Sequence, residues 1–151
     1  MADWKQRYAN KLVSIQEAAS HVKNGDRVYL GSMCSEPKAI IEGLGNSRVE
    51  DVEIVQFIRG DFATNLAAKI PGRFVIKSFF VGGRTGEQER PTEADYVPLF
   101  HSQIPKFFRN RRIAIDVAII QVSPPDRFGR FSLGISVDIT KSAVKSARLV
   151  I

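Results

Sequence analysis

The chain has 151 residues and a mass of 16.8 kDa, which is enough for one domain with its own hydrophobic core. Its 44% hydrophobic and 25% charged residues are typical of globular proteins and argue against a disordered chain. A single cysteine excludes an internal disulfide framework, and no apolar stretch approaches the length that spans a membrane. The first residues lack the apolar core of a secretion signal, so we expect a cytoplasmic protein.

The net charge of +6 and the isoelectric point near 9.7 suit a negatively charged partner. Positive residues are scattered, except in residues 106–112, where lysine and arginine interleave with Phe107 and Phe108. Such interleaving occurs on surfaces that bind single-stranded nucleic acid. A short helix with its phenylalanines toward the core accounts for it more simply. We therefore expect an anionic small ligand, no nucleic-acid partner and no membrane.

Two helices are predicted at the start of the chain. Asp3 can cap the first, which should extend through Leu12. Ser14 and Glu17 have the spacing of a capping box, in which each side chain satisfies a free backbone donor near the other. The second helix should therefore begin there and run through Val22.

Runs of β-branched and aromatic residues, bounded by turn residues, predict the strands. In chain order these lie at residues 27–30, 52–57, 74–81, 116–122, 131–133 and 148–151. The apolar composition of residues 116–122 is that of a central strand, and residues 148–151 should form another buried one. Gly25, before the first strand, should adopt a turn or left-handed conformation. Strands that alternate with helices predict an α/β fold, an open mainly parallel sheet with flanking helices.

The remaining segments are predicted from their helical patterns and helix breakers. One helix should follow Pro37 and weaken at its glycines, and another should span residues 140–147. Residues 59–72 should be a loop with at most one helical turn. Residues 94–112 should hold one or two short helices, broken by Pro98 and Pro105.

Residues 31–37 join the first strand to a helix. Ser35 can cap that helix, and Pro37 fits its first turn. Free amides at a helix start can hold a phosphate or carboxylate, so Gly31, Ser35 and Pro37 are candidate binding residues. A plain strand-to-helix turn accounts for the segment more readily. Cys34 is interpreted as a small packed residue and is assigned no chemistry.

A glycine-rich stretch of residues 82–91 follows the third strand. Its three glycines and one proline among charged residues predict a mobile loop. Arg84 and Arg90 could pair with a carboxylate or a coenzyme phosphate, although loop charges are usually only solvated. Gly82 and Gly83 are candidate binding residues with Arg84 because they lie at a strand end.

Residues 116–134 contain the candidate site with the clearest sequence pattern, a strand that is followed directly by a turn. Two prolines, Pro124 and Pro125, end the strand and push Ser123 into an extended conformation. Ligands of open α/β sheets bind beyond the carboxyl ends of the strands, which is where this turn should lie. The Ser123 hydroxyl and nearby amides, including that of Gly129, could face a carboxylate or thioester oxygen. A rigid corner with no ligand is equally compatible with the residues.

Neither metal binding nor a serine nucleophile is indicated. His21 and His101 are far apart and lack the spacing of metal ligands. No histidine has a visible reason to lie beside Ser123, so that residue is expected to bind and not to attack.

Several segments resemble one family. They are residues 28–37, 94–100 and 104–105, and above all residues 116–134, with Ser136, Val137 and Asp138 after them. Together they resemble the N-terminal half of the acetyl-CoA hydrolase and 4-hydroxybutyrate CoA-transferase family, over essentially the whole chain. The glycine-rich loop departs from that family, which more often has an asparagine before the arginine.

The resemblance implies a CoA-transferase-like (NagB/RpiA-like) domain spanning residues 1–151. It implies a second, C-terminal catalytic domain that is absent from this chain, with acyl-CoA and a small carboxylate bound between the two. A glutamate of that second domain would form a glutamyl-CoA thioester. Coenzyme A would be part of a substrate, with no tightly bound cofactor, and the full-length enzyme would be a homo-oligomer. Which carboxylate is used, and whether transfer or hydrolysis dominates, stays open.

Two other interpretations remain. The chain could be a stand-alone sugar-phosphate isomerase-like or ligand-binding α/β domain, because folds of this type serve several chemistries. It could also be a basic nucleic-acid-binding module built on residues 106–112. The apolar ending at residues 149–151 favours the first part of a longer polypeptide, since natural ends usually lie frayed at the surface.

Overall fold

The computed structural model describes residues 6, 8–80 and 94–151. Six strands form one open sheet in the order β4-β3-β2-β1-β5-β6, and all five neighbouring pairs are parallel. The strands are β1 (Arg27–Leu30), β2 (Val52–Ile58), β3 (Phe74–Phe80), β4 (Ala94–Tyr96), β5 (Val117–Ile119) and β6 (Leu149–Val150). The helices are α1 (Ile15–Ser20), α2 (Lys38–Asn46), α3 (Asp61–Lys69), α4 (Ile104–Arg109) and α5 (Thr140–Ser146). The predicted α/β fold is confirmed.

Each face of the sheet carries its own hydrophobic core. Alternate residues of a strand point to opposite faces, so Val28 and Leu30 of β1 belong to one core and Tyr29 to the other. Helices α1, α2 and α3 cover the first face, and α4 and α5 cover the second. The interior strands are therefore buried on both sides, which explains their continuous apolar sequence. No helix among the described residues has the length and apolar character needed to cross a membrane.

Tyr29 links the second core to α5. Its hydroxyl lies 2.7 Å from the Thr140 Oγ1, and the ring packs edge-on against Phe108 at 6.3 Å between centroids. Burial raises the pKa of Tyr29 to about 12.

The start of α1 is confirmed and its end is not. The Ser14 Oγ accepts a hydrogen bond of 3.1 Å from the Glu17 amide, as the capping box predicts. The helix ends at Ser20, two residues before Val22. The turn that follows leads to Gly25, whose φ of 78° is left-handed, one of the two conformations expected for it. Upstream, Ala9–Lys11 is a short 3-10 turn that ends before the exposed Leu12, whereas Asp3 lies outside the described residues.

The predicted loop at residues 59–72 is wrong, because α3 occupies nine of these residues. Ala63 and Leu66 are three residues apart and turn one face of this helix into the first core. The glycines of α2 also allow helix packing and do not end that helix. A Cβ at Gly45 would lie 2.7 Å from the Leu66 Cδ1, so a side chain there would separate α2 from α3.

The second half of the chain differs from the prediction at three places. Residues 94–112 contain a strand, β4, and only one helix, in whose first turn Pro105 lies. Residues 131–133 form no strand, since Ser132 hydrogen-bonds to Ser123 of its own loop and the Leu133 carbonyl accepts from the Ser35 side chain. Strand β6 is at the sheet edge with Val150 45% exposed, so the predicted buried strand is wrong. Strand β5 is an interior strand as predicted, between β1 and β6.

Ion pairs of one glutamate link the strands β1, β2 and β3. Glu53 of β2 pairs with Arg27 of β1, and its Oε2 lies 2.6 Å from the Lys77 Nζ of β3. Partial burial raises the pKa of Glu53, but hydrogen bonds and charge from Arg27 and Lys77 outweigh burial and hold it below its ordinary 4.5. This carboxylate therefore stabilises the fold fully above that ordinary value, and the stabilisation is lost as pH falls through the lower folded value.

Glu53→Gln should therefore destabilise the protein most near neutral pH. Urea unfolding at about pH 7 and about pH 3 should show that the deficit shrinks on acidification, because the stabilisation by the charged pair declines once the pH is below the ordinary pKa of 4.5. Glu50→Gln, at an exposed residue three positions earlier, is the matched control and should have little effect at either pH. A deficit for Glu53→Gln that is equal at both pH values would contradict this assignment.

Candidate functional site

The candidate site lies where the connections leave β1 and β5 in opposite directions. From β1 the chain crosses the first face through α2 to β2, whereas from β5 it crosses the second face through α5 to β6. Open α/β sheets bind ligands in the crevice at such a switch point. Residues 31–37 follow β1 there, and residues 120–134 follow β5. The Gly31 amide donates a 3.2 Å hydrogen bond to the Ile119 carbonyl, which places the two loops side by side.

The first loop is tightly folded on itself. It contains a 3-10 turn, Met33–Ser35, and a Cβ at Gly31 would overlap the Ser35 carbonyl oxygen. The Ser32 Oγ accepts hydrogen bonds from the amides of Phe57 (3.0 Å) and Ile58 (3.4 Å), at the end of β2. The loop is therefore held at the carboxyl edge of the sheet.

Ser35 and Pro37 have positions that differ from the prediction. Helix α2 begins at Lys38, directly after Pro37, and has no side-chain capping bond. The expectation that Ser35 caps this helix is wrong. Its side chain instead donates a 3.4 Å hydrogen bond to the Leu133 carbonyl, so it joins the first loop to the second.

Glu36 is a buried acidic residue at this edge. It is only 5% exposed, and none of the ion pairs between described residues includes it. Its Oε1 accepts from the Ala63 amide (3.0 Å), and its Oε2 accepts from the Phe62 amide (3.3 Å). These are free amides of the first turn of α3, so Glu36 caps a helix from which it is distant in sequence.

Gln56, fully buried on β2, completes the connection. Its side-chain amide donates to the Glu36 Oε1 (3.3 Å) and to the Gly31 carbonyl (3.4 Å). Its Oε1 accepts from the Gly60 amide at 3.1 Å. Glu36 and Gln56 thus hold the loop after β1 against the loop after β2, with every polar atom of this buried network paired.

The second loop is exposed and braced by its own hydrogen bonds. The Ser123 Oγ accepts from the Ser132 amide and donates to the Pro124 carbonyl, each at 3.0 Å. The Asp126 carboxylate accepts from the amides of Arg130 and Phe128 and pairs with the Arg130 side chain, and these contacts lower its pKa. Among the described residues, the Ser123 hydroxyl therefore forms hydrogen bonds only within the loop, and these brace the shape of the loop.

The switch point brings most of the predicted site residues to one edge. The first loop contributes Gly31, Ser35 and Pro37, and the second contributes Ser123, Pro124, Pro125 and Gly129. Gly129 has a φ of 77°, which favours glycine. The glycine-rich candidates Gly82, Gly83 and Arg84, together with Arg90, lie outside the described residues.

Cysteine and histidine add no metal site to this edge. Cys34 is exposed, so its interpretation as a packed residue is wrong. His101 packs against Phe57 with the two rings tilted and 4.6 Å between their centroids. The described part of the chain contains no group of three or more histidine, cysteine or acidic residues suited to a metal ion.

The chain is similar to known CoA transferases. It is 34% identical to the 4-hydroxybutyrate coenzyme A transferase of Clostridium kluyveri over 99% of this chain. It is 31% identical to a succinyl-CoA:acetate/propanoyl-CoA:succinate CoA transferase of Fasciola hepatica over 89% of this chain. The chain spans only 35% and 29% of the lengths of these two relatives.

A solved structure and a family model agree with these relatives. The crystal structure of RipA from Yersinia pestis superposes with a TM-score of 0.83 and 25% identity, over 98% of this chain and 37% of RipA. The model of the acetyl-CoA hydrolase/transferase N-terminal domain matches residues 1–151. The chain therefore belongs to the acetyl-CoA hydrolase/transferase family, as its N-terminal domain.

Proposed function

We propose that residues 1–151 form the N-terminal domain of an enzyme that moves coenzyme A between an acyl-CoA and a small carboxylate. The second, C-terminal catalytic domain would be supplied outside this chain. The observation that carries the proposal is the meeting of two loops, residues 31–37 and 120–134, at the switch point of a parallel sheet. The printed names of the relatives, which are CoA transferases, support the same chemistry.

In this proposal the two loops bind the carboxylate and acyl side of the substrates. Most amides of residues 123–129, including that of Gly129, already donate within their own loop. The donors available to a carboxylate or thioester oxygen are therefore the amides of Arg127 and of residues 32–34. Pro124 and Pro125 restrict the backbone, and the Ser123 hydroxyl braces it through Ser132. Gly82, Gly83 and Arg84 remain part of the proposal because β3, which they follow in the sequence, ends at the same edge of the parallel sheet.

The attacking glutamate is proposed to lie in the second domain. Of the described glutamates, Glu36 is the one held in the loop of the candidate site, and its two oxygens accept three hydrogen bonds inside the fold. Attack on a thioester would require Glu36 to leave the amides of α3 and become exposed. Its geometry therefore supports a structural role and an external nucleophile.

The second domain would also cover apolar side chains that are now exposed near the switch point. Met33 of the first loop is 57% exposed, and Phe128 and Ile135 beyond β5 are 60% and 87% exposed. Large apolar side chains grouped at a site are typical of an interface. We further propose that the complete enzyme is a cytoplasmic homo-oligomer, with the coenzyme A thioester as a substrate and not as a bound cofactor.

The Ser123 hydroxyl tests the role of the second loop. In this chain combined with its second domain, Ser123→Ala should lower kcat/KM for CoA exchange by about tenfold, because the loop amides lose their fixed positions. The free energy of unfolding should fall by less than about 1 kcal/mol, since both lost hydrogen bonds are exposed.

The matched control is Ser20→Ala, which removes an exposed hydrogen bond of 2.7 Å to the Glu17 carbonyl in α1. It should leave kcat/KM unchanged. Unchanged exchange in Ser123→Ala, or a loss no greater than in Ser20→Ala, would remove the second loop from the site.

A further inference from the structure

A positively charged groove lies between α4 and α5, on the face of the sheet that contains Tyr29. Its volume is about 640 Å³, and the buried ring of Phe108 forms part of its wall. Four exposed cations line it: Arg109, Arg111, Lys141 and Lys145. No aspartate or glutamate contributes to the lining.

The charge of this groove is uncompensated in the described part of the chain. None of the four cations forms an ion pair there, whereas Arg27, Lys77, Arg130 and Arg148 each pair with a carboxylate. Lys141 and Lys145 are one turn apart on α5, an arrangement of like charges that weakens a helix. A bound anion would relieve this repulsion.

Balance of the helix dipoles does not explain the arrangement. Arg109 and Lys145 lie in the last turns of α4 and α5, where a cation is favourable. Lys141 is in the first turn of α5, where a cation is unfavourable, and Arg111 lies beyond α4 with a strained φ of 54°. Helix position therefore disfavours Lys141, and backbone conformation disfavours Arg111. What all four cations share is that they line the groove.

The lining fits the oxygens of a highly charged anion, such as a chain of phosphate groups. Guanidinium and ammonium groups are the side chains that bind phosphate, and Ser142 and Ser146 add hydroxyl donors one turn apart. The only aromatic ring of the lining, Phe108, is fully buried and offers no face on which a base could stack. No carboxylate is present to bind a ribose hydroxyl. We propose that this groove binds a chain of two or three phosphate groups, recognised through its charge and oxygens alone.

The groove is separate from the candidate site. Helix α5 ends at Ser146, three residues before β6 begins, and Arg109 and Arg111 precede β5. The groove therefore extends to the amino edge of the sheet, opposite to the loops of the switch point. The inference goes beyond the proposed CoA transfer, and either could fail without the other.

Calorimetric titration of this chain with inorganic tripolyphosphate, at fixed salt, tests the inference. Lys141→Gln/Lys145→Gln should weaken binding by about tenfold or more, because two charge-assisted contacts are lost. Lys11→Gln/Lys106→Gln is the control, since it removes the same charge at exposed residues outside the groove, one of them on α4. It should weaken binding by less than about twofold. Equal losses in the two double variants would show attraction to net charge only and would overturn the proposal.

A measurement on the unaltered chain does not depend on how the variants fold. Tripolyphosphate should shift the amide resonances of residues 109–111 and 141–146, and saturate with one site. No saturable shift in these residues overturns the proposal, as does a site elsewhere.

Two further ligands identify the source of the phosphates. ATP should bind within about twofold of tripolyphosphate, because the lining offers no exposed aromatic ring for a base and no carboxylate for a ribose. Binding of ATP that is tenfold tighter would overturn recognition through phosphate alone. A single-stranded oligonucleotide that binds tenfold more tightly than tripolyphosphate, with shifts in the same residues, would make the groove a nucleic-acid surface and would likewise overturn the proposal.

Discussion

Replacing Glu36 by alanine should lower the free energy of unfolding by about 3 kcal/mol or more, the largest effect we expect from a single polar side chain in this protein. The change removes the acceptor of the Phe62 and Ala63 amides and of the Gln56 side chain, all at a site that is 5% exposed. Buried donors without an acceptor lose their hydrogen bonds to water on folding and form none in the protein. Helix α3 also loses its N-terminal cap.

Glu36→Gln should be intermediate, at about 1–2 kcal/mol, because its one carbonyl oxygen can still accept from two of the three donors. The control is Glu42→Ala, at an exposed glutamate of α2, which should cost less than about 0.5 kcal/mol. Guanidinium unfolding measures the free energy of unfolding of all three variants, provided that their m-values equal that of the unaltered protein. If Glu36→Ala costs no more than Glu42→Ala, the buried network does not stabilise the fold.

Gly60→Ala should lower the free energy of unfolding by about 2–3 kcal/mol, because alanine has no room there. Its Cβ would lie 2.7 Å from the Glu36 Oε2 and closer still to the other atoms of that carboxyl group. The backbone is not the reason, since the φ of −96° and ψ of 152° at Gly60 are ordinary for alanine. The absent side chain of Gly60 is therefore what lets Glu36 reach α3.

A double-mutant cycle isolates this contact. In a Glu36→Ala background the obstructing carboxyl group is gone, so Gly60→Ala should then cost less than about 1 kcal/mol. The coupling should appear in chemical unfolding and be absent from the pair Gly60→Ala and Glu42→Ala. Additive costs for Gly60 and Glu36 would contradict the packing of these two residues.

Strands with a clear local pattern, an apolar run bounded by turn residues, were predictable from the sequence. Strand β1 lies between Gly25 and Gly31, and its residues 27–30 match the predicted bounds. Strand β4 has only three residues, at the sheet edge, and gives no such pattern. Strand β6 has a core-like composition but lies at the other edge, which the sequence of a single strand cannot indicate.

Helix α3 shows why local signals fail. Its N-cap position is Gly60, which supplies no side chain, and its cap comes from Glu36, 25 residues upstream of Asp61. A capping bond from another loop cannot be inferred from residue spacing within the helix. Glu36 was missed as a site residue for two reasons. Its partners in α3 are distant in sequence, and a glutamate is normally exposed.

The candidate site was predictable in its parts. The glycines and prolines of residues 31–37 and 123–129 predicted that both segments are loops at strand ends. Their contact through Ser35 and Leu133 joins residues 98 positions apart and depends on the order of the strands in the sheet. That order, with β5 returning to the side of β1 opposite β2, is a property of the whole fold and has no sequence signal.

The most direct test of this domain's role is the site of covalent attachment of coenzyme A. The chain is combined with the proposed C-terminal catalytic domain, incubated with acyl-CoA, and its adduct is located by intact mass and peptide mapping. We predict a coenzyme A thioester on a glutamate of the C-terminal domain, with residues 1–151, including Glu36, unmodified. A coenzyme A adduct on Glu36 or on any other glutamate of residues 1–151 would contradict the assignment of this chain to binding and positioning.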